Sequence, residues 1–95
     1  MTEKWPTSTE LTEVFLIVLS RLGGHASVSA LDQGVIEEIK LSPTLLAMKR
    51  SGNRGEIQYR LAWIRTKAKQ NGLVTKESDR NWRITEKGQA LANNA

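Results

Sequence analysis

From about Thr9, apolar side chains recur at spacings of three, four and seven: Leu11, Val14, Phe15, Val18 and Leu22. That spacing predicts an amphipathic helix. Leu16, Ile17 and Leu19 carry its apolar surface nearly all the way round, as expected of a helix deep in a core or at a subunit interface. Gly23-Gly24 ends it. His25 to Val28 then reads as one short strand, with no chemistry assigned to the histidine. Ser29 is placed to cap a second helix, with Asp32 at its third position in capping-box style. Leu31, Val35 and Ile39 form that helix's inner stripe. Gly34 inside it costs about 1 kcal/mol of helix propensity against Ala and leaves room for a close neighbour. Ser42-Pro43 is a further start signal, opening a short helical turn through Met48.

The next stretch, Lys49 to Glu56 (KRSGNRGE), predicts a basic, glycine-containing loop. It lacks the lysine-serine ending of a phosphate-binding P-loop, so no nucleotide site is expected there. Ile57, Leu61, Ile64 and Ala68 then mark one side of a long helix closed by Asn71-Gly72. Leu73 to Lys76 and Asn81 to Thr85 predict two strands of a hairpin, joined by the polar turn Glu77-Ser-Asp-Arg80. Trp82 alternates with Ile84 on one strand face, which places it in the core. Thr85 caps a last helix reaching about Asn93. Residues 1–8 are expected to be a flexible tail, with Trp5 its one group suited to pinning onto the body, and residues 9–93 to form one domain. The order of elements fits a winged helix-turn-helix: mainly α with a small β-hairpin.

Composition narrows the function. Ninety-five residues suffice for one small core but not for a separate catalytic lobe. Without cysteine there are no disulfides or thiolate metal sites, and a reducing cytoplasm is the natural compartment. The single histidine excludes a His-cluster metal site. The longest apolar run, Val14 to Leu19, is too short to span a bilayer, and the opening MTEKWP does not read as a signal peptide. No nucleophile–base pair or metal-ligand set emerges, so neither enzymatic activity nor a cofactor is expected.

Charge is distributed unevenly. Residues 1–48 hold three cations against six acids, net −3, while residues 49–95 hold eleven against four, net +7. Between Lys49 and Gln70 there are seven cations and one acid, Glu56. An acidic front and a basic back suggest a face built for an anionic partner.

The long helix carries most of that bias. Taking about 100° per residue with Leu61 at zero, Ile57, Leu61, Ile64 and Ala68 cluster at roughly −30°. The opposite side carries Tyr59, Thr66 and Gln70, with Ala62 and Lys69 on a shoulder. Arg60 and Lys67 lie on one flank, Gln58 and Arg65 on the other. A groove-reading helix needs this layout: small, polar or aromatic groups in front to reach base edges, and cations at the sides to meet phosphates. The base-facing candidates are therefore Gln58, Tyr59, Ala62, Thr66 and Lys69. The phosphate candidates are Lys49, Arg50, Arg54, Arg60, Arg65, Lys67 and Arg80. Arg80 has two readings, as a wing-tip contact to a groove or phosphate, or as a turn arginine paired with Asp79. Trp63 also has two, as a partly buried structural post or as a direct DNA contact.

The C-terminal half, over roughly residues 45–92, resembles the N-terminal domain of Mrr-type restriction proteins. The resemblance rests on Ser51-Gly52 in the loop, then Arg60-Leu-Ala-Trp63-Ile in the helix that ends Asn71-Gly72-Leu73. It continues through Arg80, Trp82, Ile84, Thr85 and Gly88 in the hairpin and last helix. Ile64 and Asn81 depart from it, standing where the family usually has alanine and glycine. The resemblance implies a winged-helix DNA-binding module that normally precedes a nuclease domain cutting modified DNA. A nuclease partner is then expected in cis or in trans, and a preference for methylated duplexes follows by analogy only. The reading reached is a non-catalytic double-stranded DNA-binding domain. The alternatives are a protein-interaction or homodimerisation module using the first helix, and a small transcription regulator.

Overall fold

A computed structural model of the chain describes residues 5–51, 54–78 and 80–94, without the side chains of 49–51, 54 and 78. Helix α1 (Ser8–Arg21) starts one residue earlier than the periodicity suggested, because the Thr7 hydroxyl accepts from the Glu10 amide at 3.1 Å and caps it. It is the central post of the domain. Leu11, Phe15, Leu16, Val18 and Leu19 are all buried, each side chain contributing about 1.5–3 kcal/mol on transfer from water. Leu16 is only 1% exposed and Ile17 is partly covered. The breadth of apolar surface that suggested a subunit interface is thus largely used inside the chain, although Leu22, meant for the inner face, is exposed.

Strand β1 (His25–Ser27) leads directly into helix α2 (Val28–Ile39). The cap is Ser27, not Ser29: its hydroxyl accepts from the Ala30 amide at 3.2 Å. The helix begins early because the Val28 amide is taken by the Arg80 carbonyl at 2.7 Å, where the strand ladder runs out. Leu31 and Val35 are buried on its inner side, while Ile39 is only partly covered. Gly34 does leave room for a neighbour: a Cβ there would stand 2.6 Å from Cγ1 of Val18 on α1. Ser42 and Pro43 open α3 (Pro43–Ala47) as expected, with the Ser42 hydroxyl accepting from the Leu45 amide.

The supposed loop from 49 to 56 contains a small antiparallel ladder, β2 (Lys49–Ser51) with β3 (Arg54–Gly55). The Glu56 amide donates back to the Met48 carbonyl at 2.9 Å, fastening this ladder to the start of α4 (Glu56–Gln70). Ile57, Leu61, Ile64 and Ala68 are the buried side of α4, and its end at Asn71-Gly72 is as expected. Strands β4 (Val74–Ser78) and β5 (Asn81–Ile84) extend the hairpin to a Ser78–Asn81 pair, so Glu77 and Ser78 belong to the strand rather than the turn. The sheet order is β1-β5-β4, all antiparallel. Trp82 is buried, as its alternation with Ile84 required.

Helix α5 (Glu86–Asn94) packs back on α1, with the Thr85 hydroxyl accepting from the Gly88 amide at 3.1 Å. Gly88 is needed because a Cβ there would collide with the Leu73 carbonyl. Five helices packed with a three-stranded antiparallel sheet, and a hairpin wing beside α4, make this a winged helix among the described residues. Among the described residues, no helix is long and apolar enough to cross a membrane.

Candidate nucleic-acid interface

Helix α4 is held on its inner side by the core, on one flank by α2 and on the other by the segment before α1. The α2 flank is fixed by an ion pair. Arg65 reaches Asp32 at 2.6 Å, and the two side chains are only 13% and 19% exposed. Burial pushes the Asp32 carboxyl above its ordinary value of 3.8, while the charge of Arg65 and its hydrogen bond pull the other way. Arg65, expected to meet a phosphate, is therefore turned inward as a tie between α4 and α2.

The opposite flank holds Arg60. Its Nε donates to Glu56 at 2.8 Å, one helical turn back, and its guanidinium lies 4.4 Å from the ring centre of Trp5. Glu56 is itself nearly buried. Trp5 is thus the pin expected of the tail, and Arg60 is the group that receives it. Of the flanking cations on α4, this leaves Lys67 exposed and, on the other shoulder, Lys69. Neither makes an ion pair among the described residues.

The wing tip is tied down as well. Because the Val28 amide takes the Arg80 carbonyl, the end of the hairpin sits against the start of α2. Asp32 lies about one helical turn further along α2, so the wing approaches α4 from the side of Arg65. The Arg80 side chain is exposed there, and the proposed pairing with Asp79 falls outside the described residues. The side chains of Lys49, Arg50 and Arg54 also lie outside them, although their backbones are on the ladder leading into α4. The Glu77 carboxylate, near the wing tip, is occupied by Arg83 at 2.6 Å.

The front of α4 is different in character from its flanks. Gln58, Thr66, Lys69 and Gln70 are exposed, with Tyr59 and Ala62 partly so. Gln58 folds back, its amide oxygen occupying the space a Cβ on Gly55 would need. Trp63 is 52% exposed, half-covered as a structural post would be and half-open to a partner. It borders a groove of ≈ 580 Å³ whose other side is Pro6, Ser8 and Leu11, and a shallower one of ≈ 310 Å³ shared with Tyr59, Ala62 and Thr66. Its indole N–H donates to the Tyr59 hydroxyl at 3.2 Å, which fixes the two rings one turn apart. The helical projection had put Trp63 close to this front. The usual tendency of a large indole to be covered is what keeps it out of the base-facing candidates.

Comparison with curated proteins and with solved structures returns no match. The family model of the Mrr N-terminal domain matches residues 9–94, nearly the whole length and well beyond the half that carried the motifs. On that match, and on the winged helix just described, the chain belongs to the Mrr N-terminal domain family.

Proposed function

We propose that this domain binds double-stranded DNA without catalysing a reaction on it, with α4 in the major groove and the β4–β5 hairpin against the flanking backbone. The carrying observation is the acid-free outer face of α4. From Ile57 to Gln70 the sequence contains no carboxylate, and Glu56 is buried under Arg60. Lys67 and Lys69 are exposed on that face without an ion pair among the described residues. A solvated helix with no binding role has no reason to keep its outward face clear of acids, whereas a groove lined by phosphates repels them. Cutting, in this reading, belongs to a nuclease supplied in cis or in trans.

Binding to a random-sequence duplex over a series of salt concentrations tests the reading. If about five phosphates are neutralised, log K falls against log salt with a slope of roughly −4 to −5. A flat line overturns it. The dimerisation alternative has lost Leu16, which is buried in the chain's own core. The regulator alternative shares the same DNA chemistry and differs only in biological role.

A further inference from the structure

The four side chains at the middle of α4's outer face, Tyr59, Ala62, Trp63 and Thr66, line one shallow groove. Three of them carry polar groups suited to reading base edges, and all three already take part in hydrogen bonds within the helix. The Trp63 indole N–H donates to the Tyr59 hydroxyl at 3.2 Å. The Thr66 hydroxyl donates to the Ala62 carbonyl, one turn back, at 3.1 Å. With those hydrogens committed, the indole offers its hydrocarbon faces, and Thr66 and Ala62 offer methyl groups. The centre of a helix bordered by two lysines without an ion pair among the described residues therefore presents mainly apolar surface. In the major groove, the base-edge group that matches an apolar surface is the C5-methyl of a pyrimidine.

We propose that this patch receives the C5-methyl group of a thymine, with Trp63 and Thr66 as the residues that set the preference and Tyr59 as the positioning residue that holds the indole. The proposal rests on the DNA-binding reading above. Charge complementarity selects the occupant: Lys67 and Lys69 on either side of the patch suit a groove walled by phosphates and disfavour an apolar protein partner or a second copy of this basic helix. The same methyl chemistry occurs on 5-methylcytosine, so the test separates the two sources.

The full chain is first used to select sites from a random-sequence duplex pool. Each thymine of the selected site is then replaced singly by deoxyuridine, which removes the methyl and nothing else from the major-groove edge. At one position at least, the replacement weakens binding about three- to tenfold. Trp63→Ala and Thr66→Ser abolish that discrimination while leaving the salt slope unchanged. Thr66→Ser keeps the hydroxyl bond to Ala62 and loses only the methyl, and Trp63 is half-exposed, so both variants stay folded. Equal affinity for thymine and uracil duplexes with a steep salt slope overturns the methyl contact and leaves DNA binding standing. Discrimination that persists in both variants overturns the assignment to these residues. A gain on converting cytosine to 5-methylcytosine, with no thymine effect, overturns thymine as the source. A flat salt slope overturns both this proposal and the reading beneath it.

Discussion

Arg65 and Lys67 stand two positions apart on one helix, yet Arg65 is paired inward with Asp32 while Lys67 is exposed. A helical projection put both on flanks of α4 and offered both to phosphates. It could not see Asp32, which lies 33 positions away in sequence and meets Arg65 only after α2 packs on α4. Burial wins over attraction at this carboxyl, so the folded chain holds its proton more tightly than the unfolded chain does. This residue's contribution therefore favours the folded state most near pH 3.8 and below, and is lost as pH rises through its raised folded value. In denaturation over a pH series, the stability of the parent relative to Asp32→Asn should increase as pH falls from neutral towards about 4. An increase towards neutral pH would mean that Arg65 dominates instead. Trp82 poses a second residue-level question, because its buried Nε1 has no hydrogen-bond partner among the described residues. An unsatisfied buried N–H costs about 1–3 kcal/mol, which offsets the area lost on trimming the ring. Trp82→Phe should thus melt close to the parent, while Trp82→Ala should cost about 3–5 kcal/mol by the same melts.

Helices, caps and hairpin were mostly legible, because each is written in local spacing. The buried side of α4 came directly from Ile57, Leu61, Ile64 and Ala68, and the Ser42-Pro43 and Thr85 starts from their own chemistry. The misplacement of the α2 cap at Ser29 is instructive. Two serines flank Val28, and the choice between them depends on where the β1–β5 ladder ends, which is a tertiary fact. Val28, Leu31 and Val35 share the spacing of one face, a local hint towards Ser27. The β2–β3 ladder was missed because residues 49–55 carry no alternating apolar pattern. Gly34 is the element-level position whose sequence reading can be tested against the packing. Alanine there would gain about 1 kcal/mol of helix propensity. It would also drive a methyl into Cγ1 of Val18, a stiff, buried side chain at the α1–α2 contact. Overpacking of that kind costs roughly 1–3 kcal/mol, so Gly34→Ala should lower the denaturation midpoint. A raised midpoint would show that the two helices separate easily.

At the scale of the whole molecule, the sequence bias of −3 in residues 1–48 and +7 in residues 49–95 survives folding only in part. Acids of the front half take up cations of both halves: Glu38 pairs with Arg21, and Asp32 with Arg65. Within the back half, Glu56 holds Arg60 and Glu77 holds Arg83. A count of basic residues therefore overstates the charge available to a polyanion, and the overstatement is residue-specific. Lys67 is exposed and without an ion pair among the described residues, so it should act as a plain phosphate contact. Lys67→Gln should weaken binding to all duplexes alike and reduce the steepness of the salt dependence by about one. Arg65→Gln removes the same formal charge two residues away but takes it from a buried pair. It should leave the salt slope essentially unchanged and instead cost on the order of 2 kcal/mol of folding stability, less than a fully buried pair would. Measuring slope and denaturation midpoint on both variants makes the distinction quantitative. If Arg65→Gln flattened the slope as much as Lys67→Gln did, Arg65 would have to leave Asp32 on binding. The α2–α4 tie would then be a contact that DNA breaks rather than one that holds α4 in place for it.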